Sequence, residues 1–171
     1  MDVYFKGVAL ITKILEKLLV LIMWVMVFAV VWQVFTRFVI NSPSTFTDEL
    51  SRYLMIWVGV LGGAYVYALK RHLAIELLVT KISPKQQEIL AITVSLIVIL
   101  FSSIVLVYGG SSVVNTTLGF NQVSPSLYLF GSNLPMGYVY MAAPISGVII
   151  VMCAVADILQ TIQRLLTQGG K

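Results

Sequence analysis

Residues Leu18–Thr36 read LLVLIMWVMVFAVVWQVFT without one charged side chain, and Lys17 and Arg37 bracket them. At about 1.5 Å per residue, a helix of that length spans a hydrocarbon core about 30 Å thick. The surroundings agree. Hydrophobic residues make up 59% of the chain and charged residues 11%, with a mean hydropathy of +0.97. A soluble domain carries roughly a quarter charged residues, so this chain lacks the polar surface to stay dispersed in water and needs lipid as its solvent.

Working outward, Glu16 and the length of the apolar run argue against a cleavable signal, so the first segment is expected to be retained as a span. In residues 1–17 the charged side chains Asp2, Lys6, Lys13, Glu16 and Lys17 gather on one side of a helical wheel. This segment can therefore lie in the membrane interface as an amphipathic helix, or it can simply overhang the first span. Asn41-Ser42-Pro43 then supplies a turn, and the acidic residues after Thr45 suit the positive end of a new helix, which should resume near that residue.

Three further spans follow, giving approximate limits of 18–36, 53–69, 86–108 and 136–156 for the four. The third should open at Ser83-Pro84-Lys85-Gln86, with Ser at the cap and Pro at the first helical position. It reaches about Gly110 or continues to Leu118, an uncharged loop follows, and the fourth helix runs from about Pro135 to Arg164, kinked by Pro144 where one backbone hydrogen bond is lost. Ala143 and Gly147 can pack against a neighbour at that bend. The expected fold is an all-α integral membrane protein, one bundle of four transmembrane helices.

Orientation follows from the basic residues. Lys6, Lys13 and Lys17, then Lys70, Arg71, Lys81 and Lys85, then Arg164 and Lys171 fall on one side; Arg37 and Arg52 fall on the other. Both termini are therefore expected in the cytoplasm. The net charge of +4 is not interleaved with aromatics on a polar face, which argues against nucleic-acid binding.

Chemistry inside the membrane is sparse. Apart from Glu88 in the first turn of the third, none of the four spans holds Asp, Glu, Lys, Arg or His, whereas a protein that moves protons or ions by itself keeps such a residue at membrane depth. With one cysteine, Cys153, and one histidine, His72, neither a metal cluster nor a pair of haem ligands is expected, and no nucleophile with an adjacent base stands out. The reading is therefore neither an enzyme nor a cofactor protein.

Four features are candidates for interaction. Asp48, Glu49 and Arg52 lie within a turn and a half, where Glu49 and Arg52 at i,i+3 can pair and Arg37 can join them. They form either a solvated interface cluster or a partly buried network that fixes two helices or a partner. Gly59 and Gly63 make a GxxxG pair that admits either a helix of this chain or one from another subunit. Trp57 should face outward or into a partner. His72 and Glu76 at i,i+4 can hydrogen-bond if the second helix continues past Lys70, or can be snorkelling interface groups.

The run Thr45-Phe46-Thr47-Asp48-Glu49-Leu50-Ser51-Arg52-Tyr53-Leu54-Met55-Ile56-Trp57, continued through Gly62-Gly63-Ala64 to Arg71-His72-Leu73-Ala74-Ile75-Glu76, resembles the small membrane subunit of TRAP transporters, the DctQ or SiaQ type. Arg37 and Gln122-Val123-Ser124-Pro125-Ser126-Leu127 also look like family features. Phe46 departs from the tryptophan often found in the family, and Glu76 from its common aspartate. The resemblance implies a sodium-driven, tripartite importer of the bacterial inner membrane. Its partners would be a large multi-span subunit carrying the substrate and sodium sites and a periplasmic binding protein delivering an organic acid such as sialic acid or a C4-dicarboxylate. The small subunit would enlarge the static scaffold of an elevator-type large subunit. An assembly or scaffold subunit of an unrelated membrane complex is the alternative.

Overall fold

The computed structural model describes residues 2–69, 84–129 and 131–168. Among these residues it is a bundle of four helices with a short β-hairpin at one end. Helix α1 (Asp2–Phe38) leads to α2 (Thr45–Ala68). Helix α3 starts as Pro84–Phe101, widens into a π-helical stretch over Ser102–Gly109, and resumes as Gly110–Gly119. Strands β1 (Val123–Leu129) and β2 (Ser132–Pro135) pair antiparallel, and α4 closes the chain in two pieces, Met136–Tyr140 and Ala142–Gln168.

Among the described residues, Tyr4–Phe38, Gln86–Gly119 and Met136–Leu165 are long and apolar enough to cross a membrane. Helix α2 is shorter, at 24 residues, and carries Asp48, Glu49 and Arg52 in its first two turns, which lowers its apolar content. Residues 2–17 do not form a separate element. They are the opening turns of α1, which is unbroken, and Tyr4 donates a hydrogen bond from its hydroxyl to the Met152 carbonyl on α4, 2.7 Å away.

Helix ends follow local chemistry. Ser44 caps α2: its hydroxyl accepts from the Thr47 N–H at 3.5 Å. At the end of α3, Asn121 takes a left-handed conformation (φ 50°) and the Gln122 N–H bonds back to the Thr117 carbonyl at 3.1 Å, a Schellman-type closure. The segment expected to be an irregular loop pairs instead, with Tyr128 opposite Asn133 and Leu129 opposite Ser132. Gly131 makes its turn at φ 85°, a conformation that costs glycine little.

The core lies along α2. Leu15 and Leu19 of α1 meet Leu61 and Ala64 of α2, with Trp57, Ile149 and Ile150 packed around them. Nearer the chain termini, Tyr67, Cys153 and Ala154 are surrounded by Val8, Val98 and Ile99. The fully buried Ser146 donates to the Val60 carbonyl at 2.9 Å, which ties α4 to α2 inside the apolar layer.

Glycines let helices α3 and α4 pack closely. A Cβ on Gly147 would stand 2.7 Å from the Leu106 Cβ, and one on Gly110 would stand 3.0 Å from the Pro144 Cδ and 3.1 Å from the Ala143 Cβ. Ala143 and Gly147 thus do pack against a neighbouring helix at the bend, which falls at Met141, three residues ahead of Pro144.

Candidate interaction site at the hairpin end

Asp48 and Glu49 are consecutive on α2, so their side chains leave the helix about 100° apart and reach different neighbours. Glu49 turns toward the hairpin. Its Oε2 accepts a short hydrogen bond from the hydroxyl of the wholly buried Ser124 and another from the Ser126 N–H at 3.0 Å. The Leu127 N–H in turn donates to the Ser124 Oγ at 3.2 Å. One carboxylate thereby satisfies the bend of β1 around Pro125, and charge-assisted bonds of this kind contribute about 1.5–3 kcal/mol each.

Asp48 turns the other way. Its Oδ1 accepts from the Gln33 amide on α1 at 2.7 Å and its Oδ2 from Arg52 at 2.7 Å. The Arg52 side chain is 68% exposed, so this ion pair is screened and contributes at most about 1 kcal/mol. Arg52 therefore bonds to Asp48 at i,i+4, and the expected i,i+3 pair with Glu49 is not formed. The Thr36 hydroxyl receives the Ser44 N–H at 3.3 Å and adds a second tie between α1 and the start of α2.

Arg37 sits in the last turn of α1 with its guanidinium 5.8 Å from the centroid of the Phe38 ring. It does not join the Asp48–Arg52 pair, but both arginines line one cleft of about 370 Å³ together with Gln33, Ser44 and Asp48. Gly59 and Gly63 are exposed, and a Cβ on either would meet nothing within 4 Å, so among the described residues no helix packs on the GxxxG pair. Trp57 is half-buried. It packs against the Leu15, Leu19, Leu61 and Ala64 cluster and lines the apolar grooves on either side of that cluster. His72 and Glu76 lie outside the described residues.

One contributor escaped the sequence reading. Gln33 is the single polar amide in an otherwise apolar run, and that is a usable signal, because an amide in lipid seeks a partner. Ser124 and Ser126 stand out in the sequence only as part of the family-like run around Pro125, and nothing local links them to a carboxylate so far away. Among the described residues no group of three or more His, Cys, Asp or Glu side chains is placed to hold a metal ion.

Comparison with known proteins decides what this architecture belongs to. Residues 26–164 match the family model described as the DctQ component of tripartite ATP-independent periplasmic transporters. The chain is a member of the DctQ family. Two similar proteins from Haemophilus influenzae, each provisionally named TRAP transporter small permease protein, support this. One is 29% identical over 152 residues, covering 89% of this chain and 89% of that protein. The other is 26% identical over 136 residues, covering 80% and 78%. This DctQ chain is thus a small permease component of a TRAP transporter and a multi-pass protein of the bacterial inner membrane.

Proposed function

We propose that this DctQ chain is the accessory subunit of a sodium-coupled importer of an organic acid, with sialic acid or a C4-dicarboxylate as the substrate class. It binds a large multi-span subunit and holds that subunit's scaffold still while the mobile part carries substrate, which a periplasmic protein delivers. The chain itself performs no catalysis. Both termini lie in the cytoplasm, which puts the hairpin end on the periplasmic side, where the uncharged segment between residues 109 and 134, with its β-hairpin, can meet the binding protein. His72 and Glu76 then belong to the cytoplasmic side.

The observation that carries this reading is the apolar surface left uncovered. On α1, residues such as Leu21, Trp24, Phe28 and Val31 are each more than half exposed, and on α3 so are Leu96, Ile97, Leu100 and Phe101. Lipid-facing helices without an internal ionisable group suit a subunit that packs against another membrane protein and leaves ion coupling to it. Uptake into liposomes reconstituted with the large subunit and binding protein, with and without this chain, tests the proposal. Uptake and its sodium dependence should require the chain. Equal uptake in its absence, with no large subunit co-purifying, overturns the accessory role and favours a scaffold in some other complex.

A further inference from the structure

The cleft between the end of α1 and the start of α2 combines two features that a single ligand chemistry explains. Its charge is unbalanced: it contains two guanidinium groups and one carboxylate, and Asp48 is already engaged by Gln33 and Arg52. Among the described residues Arg37 has no carboxylate partner, only the ring of Phe38. One positive charge is therefore left facing a space of about 370 Å³.

The second feature is the rim. Phe35, Phe38, Val39 and Ile40 around Arg37 are all exposed and apolar, so the guanidinium sits where hydrocarbon gives way to headgroups. From Arg52 the same face of α2 continues through Met55, Gly59, Gly63 and Val66, at helical spacings of three and four residues. Met55 and Val66 are exposed, and the two glycines leave the helix surface open between them. A cationic cleft thus stands at the head of an apolar trough.

We propose that this cleft holds the phosphate of a phospholipid headgroup against Arg37, with one acyl chain lying along α2 over Gly59 and Gly63. A small organic anion or free phosphate would use the cleft but not the trough. An uncharged lipid would use the trough but leave the guanidinium unmatched. An amphiphile with an anionic head uses both, and the trough without Cβ atoms lets its chain lie close to the helix backbone. The site requires nothing of the transport reading and stands on this chain alone.

The test is lipid retention by the full chain purified in detergent, read by native mass spectrometry during titration with three probes: dioleoyl phosphatidylglycerol, dioleoylglycerol and glycerol phosphate. The phospholipid should bind about tenfold more tightly than dioleoylglycerol, as expected from a charge-assisted contact, and glycerol phosphate should not be retained. Arg37→Gln should bring phospholipid binding down to the dioleoylglycerol level, whereas Arg37→Lys should keep most of it. Gly59→Leu should weaken binding by filling the trough while leaving the cleft intact. Equal binding of phospholipid and dioleoylglycerol to the unmodified chain overturns the proposal without recourse to any variant. So does retention of glycerol phosphate as tight as that of the phospholipid, or unchanged phospholipid binding by Arg37→Gln. Repeating the titration with the large subunit bound gives one more outcome: loss of the lipid there would mean that the partner occupies the cleft, and the proposal would fall.

Discussion

Ser124 donates its hydroxyl to the Glu49 carboxylate across 75 residues of sequence, and this bond, with the Ser126 N–H on the same oxygen, fastens the hairpin to the first turns of α2. Truncating Glu49 leaves a buried hydroxyl and a backbone N–H without their acceptor. Glu49→Ala should therefore destabilise the detergent-purified chain by on the order of 2 kcal/mol, lowering its melting temperature by about 4–8 °C. Ser124→Ala retains the Ser126 contact and should cost less. Equal melting temperatures for Glu49→Ala and the unmodified chain would mean that the latch contributes nothing.

The neighbouring carboxylate makes a contrasting case. Because Arg52 is largely exposed, Arg52→Ala should shift stability by no more than about 1 kcal/mol. Asp48→Ala removes the Gln33 contact as well, and it strands an amide at the edge of the apolar layer, so its effect should exceed that of Arg52→Ala. A double-mutant cycle between Gln33→Ala and Asp48→Ala should give a coupling energy above about 0.5 kcal/mol, whereas additive effects would deny that the two side chains interact.

Two sets of glycines predict opposite responses to one added methyl group. Gly147→Ala drives a Cβ against Leu106 and Val107 at the α3–α4 contact and should cost about 1–3 kcal/mol as the helices are forced apart. Gly59→Ala and Gly63→Ala point into open space and should be neutral or stabilising by up to about 1 kcal/mol, since alanine favours the helix. Thermal melting of the three variants side by side decides this, and a destabilised Gly63→Ala would show that the face is not open.

These glycines also mark how far the sequence can be read. The starts of α2 at Thr45 and α3 at Pro84 were legible because caps, prolines and turn residues act within a few positions of the chain. The close approach of two helices is not local. Gly59 and Gly63 carry the recognisable spacing yet stay open, while Gly110, Gly137 and Gly147 share no motif and make the tight contacts.

The same limit governs the site. Helical arithmetic pointed Arg52 to Glu49 at i,i+3, although Asp48 at i,i+4 lies equally within reach. The choice depends on Ser124 and Ser126 claiming Glu49 from the far side of the bundle. The hairpin itself read as a loop, because Pro125, Gly131 and Asn133 outweigh its few strand-forming residues. Its pairing is held partly by the Glu49 latch, which no local pattern encodes.

The N-terminal turns of α1 give the last prediction. Their charged side chains Lys6, Lys13, Glu16 and Lys17 are exposed, in keeping with an amphipathic segment, but Tyr4, Val8 and Leu15 turn toward the core and α4. A segment lying free in the interface would leave the Tyr4 hydroxyl to water and headgroups. A segment docked on α4 would depend on it. Tyr4→Phe removes the donor to the Met152 carbonyl while keeping the ring, so about 0.5–1.5 kcal/mol of local stabilisation should be lost. Because this bond lies within a few residues of the helix end, the loss should appear as local opening, with melting of the whole bundle little changed. Hydrogen exchange of the full chain in nanodiscs should then speed up by roughly two- to tenfold over the first turns of α1, with α2 and α3 unaffected. Unchanged exchange over those turns would place the hold elsewhere, on the apolar contacts of Val8 and Leu15.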